Sequence, residues 1–127
     1  GGEVVLRPPT GSDAGTAAAA EAIERHSSRP DFQVLAYPGI LSVPLTAISK
    51  DTPPAFLICT HDDKSPATSI PAVYSALHKA AVPAEMHIYS RGGHGYGIRN
   101  PPLPVSSWPA RFEEWLADSG LLTGKRP

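Results

Sequence analysis

An almost wholly apolar run at residues 55–60, Ala-Phe-Leu-Ile-Cys-Thr, places the strongest constraint on how this chain can fold. Pro53 and Pro54 precede the run, and Asp62 and Asp63 come shortly after it. Six consecutive residues without apolar–polar alternation are typical of a central strand in a parallel sheet, because such a strand is covered on both faces. The sequence therefore predicts a sheet with helices packed on its two sides.

The segments around this run alternate between strand and helix patterns. Residues 32–37 and 84–89 are predicted as strands that end at turn residues. Apolar residues spaced by three and four predict helices over 66–81 and 108–116, and the alanines of 13–26 favour a further helix. The order indicates an α/β fold, a parallel sheet of about three strands with flanking helices.

The size and charge of the chain limit the classes of function. Its 127 residues are expected to form a single partial domain, with an N-terminal segment at 1–30, a strand–helix unit at 31–118 and a tail at 119–127. A net charge of −1, spread along the chain, argues against nucleic acid and anionic membranes as partners. No apolar run is long enough to span a bilayer. The lone Cys59 is expected to be a buried, inert thiol.

Titratable side chains lie just after the second and third predicted strands. Asp62 and Asp63 come directly after the apolar run, and His94 lies in a glycine-rich turn with Gly93 and Gly95. Because the carboxyl ends of parallel strands meet at one rim of a sheet, these side chains are expected on the same rim. An acid followed by a histidine matches two members of a Ser-Asp-His triad. A turn aspartate and a loop histidine without a chemical role would produce the same spacing.

The nucleophile of such a triad is not identified. The sequence contains no Gly-x-Ser-x-Gly elbow. Ser12 lies in a run that superficially resembles an elbow, but it occupies the wrong place in the motif and no strand precedes it. Ser65 and Ser90, near the predicted rim, are equally weak candidates, and all three serines suit turns.

A metal site is the other chemistry that these side chains offer. Potential ligands are His61, Asp62, Asp63, His87 and His94. His87 falls within a predicted strand, however, and neither a His-x-x-x-His motif nor a cysteine-rich spacing occurs. We therefore expect neither a metal nor a cofactor.

Three runs, at residues 29–39, 52–63 and 74–97, occur in the order and spacing of a known family. They resemble the strand after the nucleophile helix, the acid strand, and the helix, strand and histidine loop of bacterial α/β-hydrolases of the esterase/lipase, acetyl-xylan-esterase-like group. The resemblance covers about residues 27–118. It implies that Asp63 is the triad acid, with Asp62 as the fallback, and that His94 is the base.

The resemblance also implies a function and a partner. It indicates a carboxylic-ester hydrolase that acts on small-molecule acyl or acetyl esters without a cofactor. Residues 1–5 resemble the segment directly after the nucleophile serine in this family, so we expect the chain to be the C-terminal half of the fold. An incomplete sheet predicts a homodimer or association with the missing N-terminal half. The alternative is a catalytically inactive fragment, or an assembly or binding module.

Overall fold

The computed structural model describes residues 15, 18, 28–39, 44–99 and 102–122. Apart from residues 15 and 18, the helix expected at 13–26 lies outside the described residues, as do the N-terminal run at 1–5 and Ser12. Five main elements occur in chain order: β1 (Gln33–Ala36), β2 (Ala55–Thr60), α1 (Lys64–Lys79), β3 (Ala84–Tyr89) and α2 (Trp108–Asp118). Short 3-10 helices at Leu45–Ala47 and Pro104–Ser107 lie in the connections. The division into segments 1–30, 31–118 and 119–127 stays a prediction.

The three strands form one parallel sheet in the order β1-β2-β3. Gln33 pairs with Ala55 at one end of the sheet, and Thr60 pairs with Tyr89 at the other. β2 and β3 have the predicted bounds, whereas β1 is shorter than the predicted strand at both ends. The structure confirms the expected α/β fold class, with helices flanking a three-stranded parallel sheet.

The apolar run of β2 is buried on both faces, which explains the absence of alternation in its sequence. All six residues of β2 are fully buried. Leu57 and Cys59 pack in the core cluster that contains the apolar face of α1. Phe56 and Ile58 point to the opposite face and pack in the cluster that contains Trp115 of α2. Side chains alternate between the two faces of a strand, so an apolar residue is needed at every position.

α1 begins and ends two residues before the predicted bounds of 66–81. It begins earlier because Pro66 lies in the first turn, where a backbone N–H has no partner within the helix. At the other end, Ala81 takes a left-handed conformation with φ of 56°. The Val82 N–H then bonds to the Leu77 carbonyl at 3.0 Å, which closes the helix. This early start places Asp63 at the junction of β2 and α1.

α2 begins at the predicted residue, ends two residues after the predicted bound of 116, and has a similar closing turn. Gly120 has φ of 69°, and the N–H of Leu121 bonds to the carbonyl of Leu116 at 3.0 Å. Glycine suits this position because it adopts left-handed backbone without a Cβ clash. Within the part of the chain that the structure describes, no helix has both the length and the apolar character needed to cross a membrane.

Candidate active site

The candidate site lies at the edge of the sheet where β2 and β3 end. Thr60 and Tyr89 are register partners there, and the hydrogen-bond ladder continues one step further, from the His61 N–H to the Tyr89 carbonyl at 2.7 Å. Asp62 and Asp63 come after β2, and the glycine-rich loop with His94 comes after β3. The sheet topology thus brings the two polar segments to one rim, as the sequence predicts.

Asp63 and His94 form a hydrogen bond in which Oδ2 and Nδ1 are 2.6 Å apart. The Asp63 side chain is 13% exposed and the His94 side chain is 56% exposed. An ionised carboxylate only accepts hydrogen bonds, so this contact requires the proton of a neutral imidazole on Nδ1. It leaves Nε2 as the nitrogen that can take a proton from a nucleophile. The predicted acid and base are therefore in contact, and their catalytic role is a proposal.

Asp62, the predicted fallback acid, binds the backbone of the histidine loop instead of the imidazole. Its Oδ1 accepts the N–H of Gly93 at 3.0 Å, and its Oδ2 accepts the N–H of Gly92 at 3.2 Å. The hydroxyl of Thr60 and these N–H groups of Gly93 and Gly92 lower the pKa of Asp62 below its usual value, because they stabilise the ionised form.

The histidine loop also packs closely against the end of β2. The Thr60 hydroxyl donates to the Gly93 carbonyl at 3.0 Å. A Cβ atom at Gly92 would lie 2.7 Å from Cγ2 of Thr60 and 3.0 Å from Cγ1 of Val105, so only glycine fits there without a shift. Gly93 has φ of 64°, which favours glycine. Further along the loop, the indole N–H of Trp108 donates to the Gly97 carbonyl at 2.7 Å.

Tyr37 completes one side of the candidate site, and sequence reasoning did not identify it. Its ring contacts the imidazole of His94 edge-on, with centroids 5.1 Å apart, and contacts Tyr96 at 4.7 Å. Its φ of 38° is in the left-handed region, which costs backbone energy for a residue with a Cβ. The available signal was its position as the last residue before Pro38-Gly39, at the carboxyl end of β1.

Tyr96 is a buried residue of the histidine loop and is 6% exposed. Burial raises the pKa of its hydroxyl, and the nearby Cys59, Tyr37, Asp63 and Tyr89 add to the effect. Its hydroxyl is buried and has no hydrogen-bond partner among the residues that the structure describes. A phenol in this environment stays protonated and neutral, so we assign Tyr96 a packing role.

The described serines do not complete a triad. Ser65 lies in the first turn of α1 and Ser90 comes directly after β3, and both are exposed. Among the described residues, no serine hydroxyl is hydrogen-bonded to His94. Ser12 lies outside the described residues, so its candidacy stays a prediction.

The potential metal ligands named from the sequence do not all lie together in the described part of the chain. The Nε2 atom of His87 binds Oε1 of Glu85 on β3 at 2.7 Å, and His61 is exposed. In the ranges 28–39, 44–99 and 102–122, together with residues 15 and 18, no group of three or more His, Cys, Asp or Glu side chains could hold a metal ion.

Comparisons with known proteins concern the fold that carries this site. No family model matches the sequence, and no curated protein matches it. The structure is similar to an acetyl ester-xyloside bifunctional hydrolase from Caldicellulosiruptor lactoaceticus, with a TM-score of 0.73 and 31% sequence identity over 89% of this chain and 51% of that chain. It is also similar to MGS-M1, an alpha/beta hydrolase enzyme from a Medee basin deep-sea metagenome library, with a TM-score of 0.60 and 27% identity over 71% of this chain and 44% of that chain.

A third similar structure agrees in fold. The carboxylesterase Cest-2923 from Lactobacillus plantarum has a TM-score of 0.63 and 20% identity, over 76% of this chain and 47% of that chain. At that identity the likeness concerns the fold alone. The chain thus spans about half the length of the solved structures to which it is similar.

Proposed function

This chain belongs to the α/β-hydrolase superfamily, and from that premise we propose that it supplies the acid and the base of a carboxylic-ester hydrolase. The observation that carries the proposal is the 2.6 Å contact between Asp63 and His94 at the carboxyl rim of the sheet. In this role Asp63 holds the imidazole in the Nδ1–H tautomer and stabilises the imidazolium that forms during turnover. Asp62 instead binds the backbone of the histidine loop at Gly92 and Gly93.

The proposed reaction is acyl transfer through a serine. Nε2 of His94 takes the serine proton as the hydroxyl attacks the ester carbonyl, and returns it to the leaving alcohol. Water then attacks the acyl-enzyme, again with His94 as the base, and releases the acid and the free serine. The serine is proposed to lie outside the described residues, on Ser12, on a partner chain or elsewhere in a longer protein.

The proposed substrates are small acyl esters, with acetyl esters first, including those of decorated sugars. The similarity to an acetyl ester-xyloside hydrolase supports this class. The exposure of the His94 side chain is compatible with this class, because the base must be accessible to a substrate from solvent.

Hydrolysis of p-nitrophenyl acetate by the chain, by His94→Ala and by His78→Ala tests the proposal. His78 is exposed near the end of α1 and provides a matched control, since a free imidazole also accelerates the hydrolysis of activated esters. A fluorophosphonate label, read by intact mass and peptide mapping, identifies the nucleophile. We expect loss of turnover in His94→Ala alone, and one adduct on one serine.

Equal rates in the chain and in both variants, without an adduct, would contradict esterase activity of this chain. The alternative function, an inactive fragment or an assembly or binding module, would then be favoured.

We also propose that the chain associates, as a homodimer or with a chain that carries the N-terminal half of the fold. Among the described strands, β1 pairs on one side only, with β2. A strand edge without a partner favours pairing with another chain. Light scattering at micromolar concentration tests the homodimer, and a clean monomer mass would contradict it.

A further inference from the structure

We propose that Asp62 is a positioning residue for His94, which it holds in place by anchoring the backbone of the histidine loop. The two adjacent aspartates then have separate tasks. Asp63 binds the imidazole, and Asp62 binds the chain that carries the imidazole. The anchoring is independent of turnover, whereas its value for catalysis rests on the proposed function.

The contacts of Asp62 are suited to an anchor. Each of its two carboxylate oxygens accepts one backbone N–H, from Gly93 at 3.0 Å and from Gly92 at 3.2 Å. The carbonyl of Gly93 accepts a hydrogen bond from the Thr60 hydroxyl at 3.0 Å. Both polar backbone groups of Gly93 are therefore held by side chains at the end of β2 and just beyond it. Hydrogen bonds to a charged acceptor are the stronger kind.

The part of the loop around His94 needs such an anchor because Gly93 and Gly95 provide no side-chain packing. At Gly93 and Gly95, a Cβ atom would meet nothing within 4 Å, and both residues have positive φ. Glycine loses more conformational freedom on ordering than any other residue. His94 itself is more than half exposed, and its side chain contacts Asp63 and the ring of Tyr37. The anchor offsets this loss of freedom immediately before His94 in the chain.

The separation of tasks results from the backbone at the start of α1. Asp63 is the residue that precedes the first turn of the helix, and it has extended backbone with φ of −93° and ψ of 95°. Its carboxylate does not cap the helix, because it binds His94. Asp62 lies one residue earlier, in the turn, and its side chain binds the loop at the two residues that directly precede His94.

NMR on the whole chain and on Asp62→Ala tests this proposal without requiring turnover. Hydrogen exchange at the amides of Gly92 and Gly93 reports the anchor, and long-range ¹H–¹⁵N spectra report the tautomer of His94. The amides of Leu57 and Ile58 in β2 report global stability. In Asp62→Ala we expect at least tenfold faster exchange at Gly92 and Gly93, unchanged exchange in β2, and loss of the single Nδ1–H tautomer.

Two further variants make the test specific. Asp118→Ala removes an exposed carboxylate on α2, and we expect it to change neither readout. Asp62→Asn keeps one acceptor oxygen without the charge, and we expect intermediate exchange. Unchanged exchange and tautomer in Asp62→Ala would overturn the proposal. Equal acceleration in β2 would also overturn it, since Asp62 would then support the whole fold rather than the loop.

The outcomes also separate this proposal from the proposed function. If the NMR changes occur but the chain hydrolyses no ester, the anchor stands and the esterase proposal falls. If the chain is an esterase, Asp62→Ala is expected to lower kcat at least tenfold with a smaller change in KM. A mispositioned base slows the chemical step, whereas the substrate contacts remain.

Discussion

The carboxylate of Asp63 and the imidazole of His94 are in hydrogen-bond contact at 2.6 Å, although 31 positions separate them in the chain. The intervening segment contains α1 and β3, which together with the preceding β2 form a β2–α1–β3 crossover. Such a crossover returns the chain to the rim of the sheet from which it departed, because both strands run in the same direction. The topology therefore brings Asp63 and His94 to the same rim, and the two loops at the ends of these strands bring their side chains into contact.

Replacing Asp63 with asparagine is expected to abolish the tautomer preference of His94. An asparagine amide both donates and accepts, so it no longer requires the proton on Nδ1. In a protein that turns over esters, we expect kcat to fall by roughly 10⁴, as for the corresponding aspartate of serine proteases. Steady-state kinetics on the variant and on Asp118→Asn measure this. A loss below tenfold would mean that Asp63 does not orient the base.

The histidine loop is expected to loosen in acid through Asp62. Its pKa is lowered by the Thr60 hydroxyl and the N–H groups of Gly93 and Gly92, so its stabilising contribution is complete above the unfolded value of about 3.9. The contribution is lost as the pH falls through the lower folded pKa. A ¹³C titration of the Asp62 carboxyl should give a midpoint below about 3.9.

Protonation of Asp62 is also expected to change the free energy of unfolding as the pH falls. The difference in unfolding free energy between the chain and Asp62→Ala should be constant above about pH 5 and shrink below about pH 4. A difference that instead grows on acidification would contradict the assigned sign.

Gly92→Ala is expected to destabilise the fold by about 1–3 kcal/mol and to displace the histidine loop. The added methyl group would lie 2.7 Å from Thr60 Cγ2, which belongs to a fully buried side chain that cannot easily move. Gly39→Ala is the matched control, because its Cβ would meet nothing within 4 Å. Urea unfolding measures both variants, and equal midpoints would show that the loop relaxes around the methyl group.

Pro71→Ala is expected to stabilise the chain by about 1–2 kcal/mol. Pro71 lies inside α1 and has no N–H to donate to the carbonyl of Ala67, a bond that alanine would restore. Pro109→Ala provides the control, since Pro109 lies in the first turn of α2, where no such bond is lost. Thermal unfolding compares the two variants. Destabilisation by Pro71→Ala would indicate that the proline ring contributes more through packing.

The thiol of Cys59 is expected to be unreactive in the folded chain. Burial, with a smaller contribution from the charge of Asp63, raises its pKa to about 11, so little thiolate exists at pH 8. Reaction with an aromatic disulfide reagent should be slow in buffer and rapid in denaturant. Fast labelling of the native chain, at the rate of a free thiol, would show that the end of β2 opens readily.

Much of the fold could be predicted from local sequence. β2 and β3 have the bounds predicted from their apolar runs and the turn residues around them. α2 begins at the predicted Trp108 and ends two residues after the predicted bound of 116, where Gly120 adopts the left-handed backbone of a helix terminus. The sequence places the start of α1 at Pro66, two residues after its actual start. A proline can be either the first residue of a helix or a residue inside its first turn, and the sequence does not distinguish the two.

The sequence by itself determined the α/β architecture, because the apolar pattern of each strand and helix is a local property of its segment. It also determined the common rim of Asp63 and His94, because strands that alternate with helices run in the same direction. Tertiary structure alone decided which of the two adjacent aspartates meets the imidazole, since both have the same chemistry and differ only in the direction that the turn gives them. It also decided that Tyr37 packs against His94, from the end of a strand that is distant in sequence. Such contacts depend on backbone dihedral angles and on packing across the sheet, which no pattern within one segment encodes.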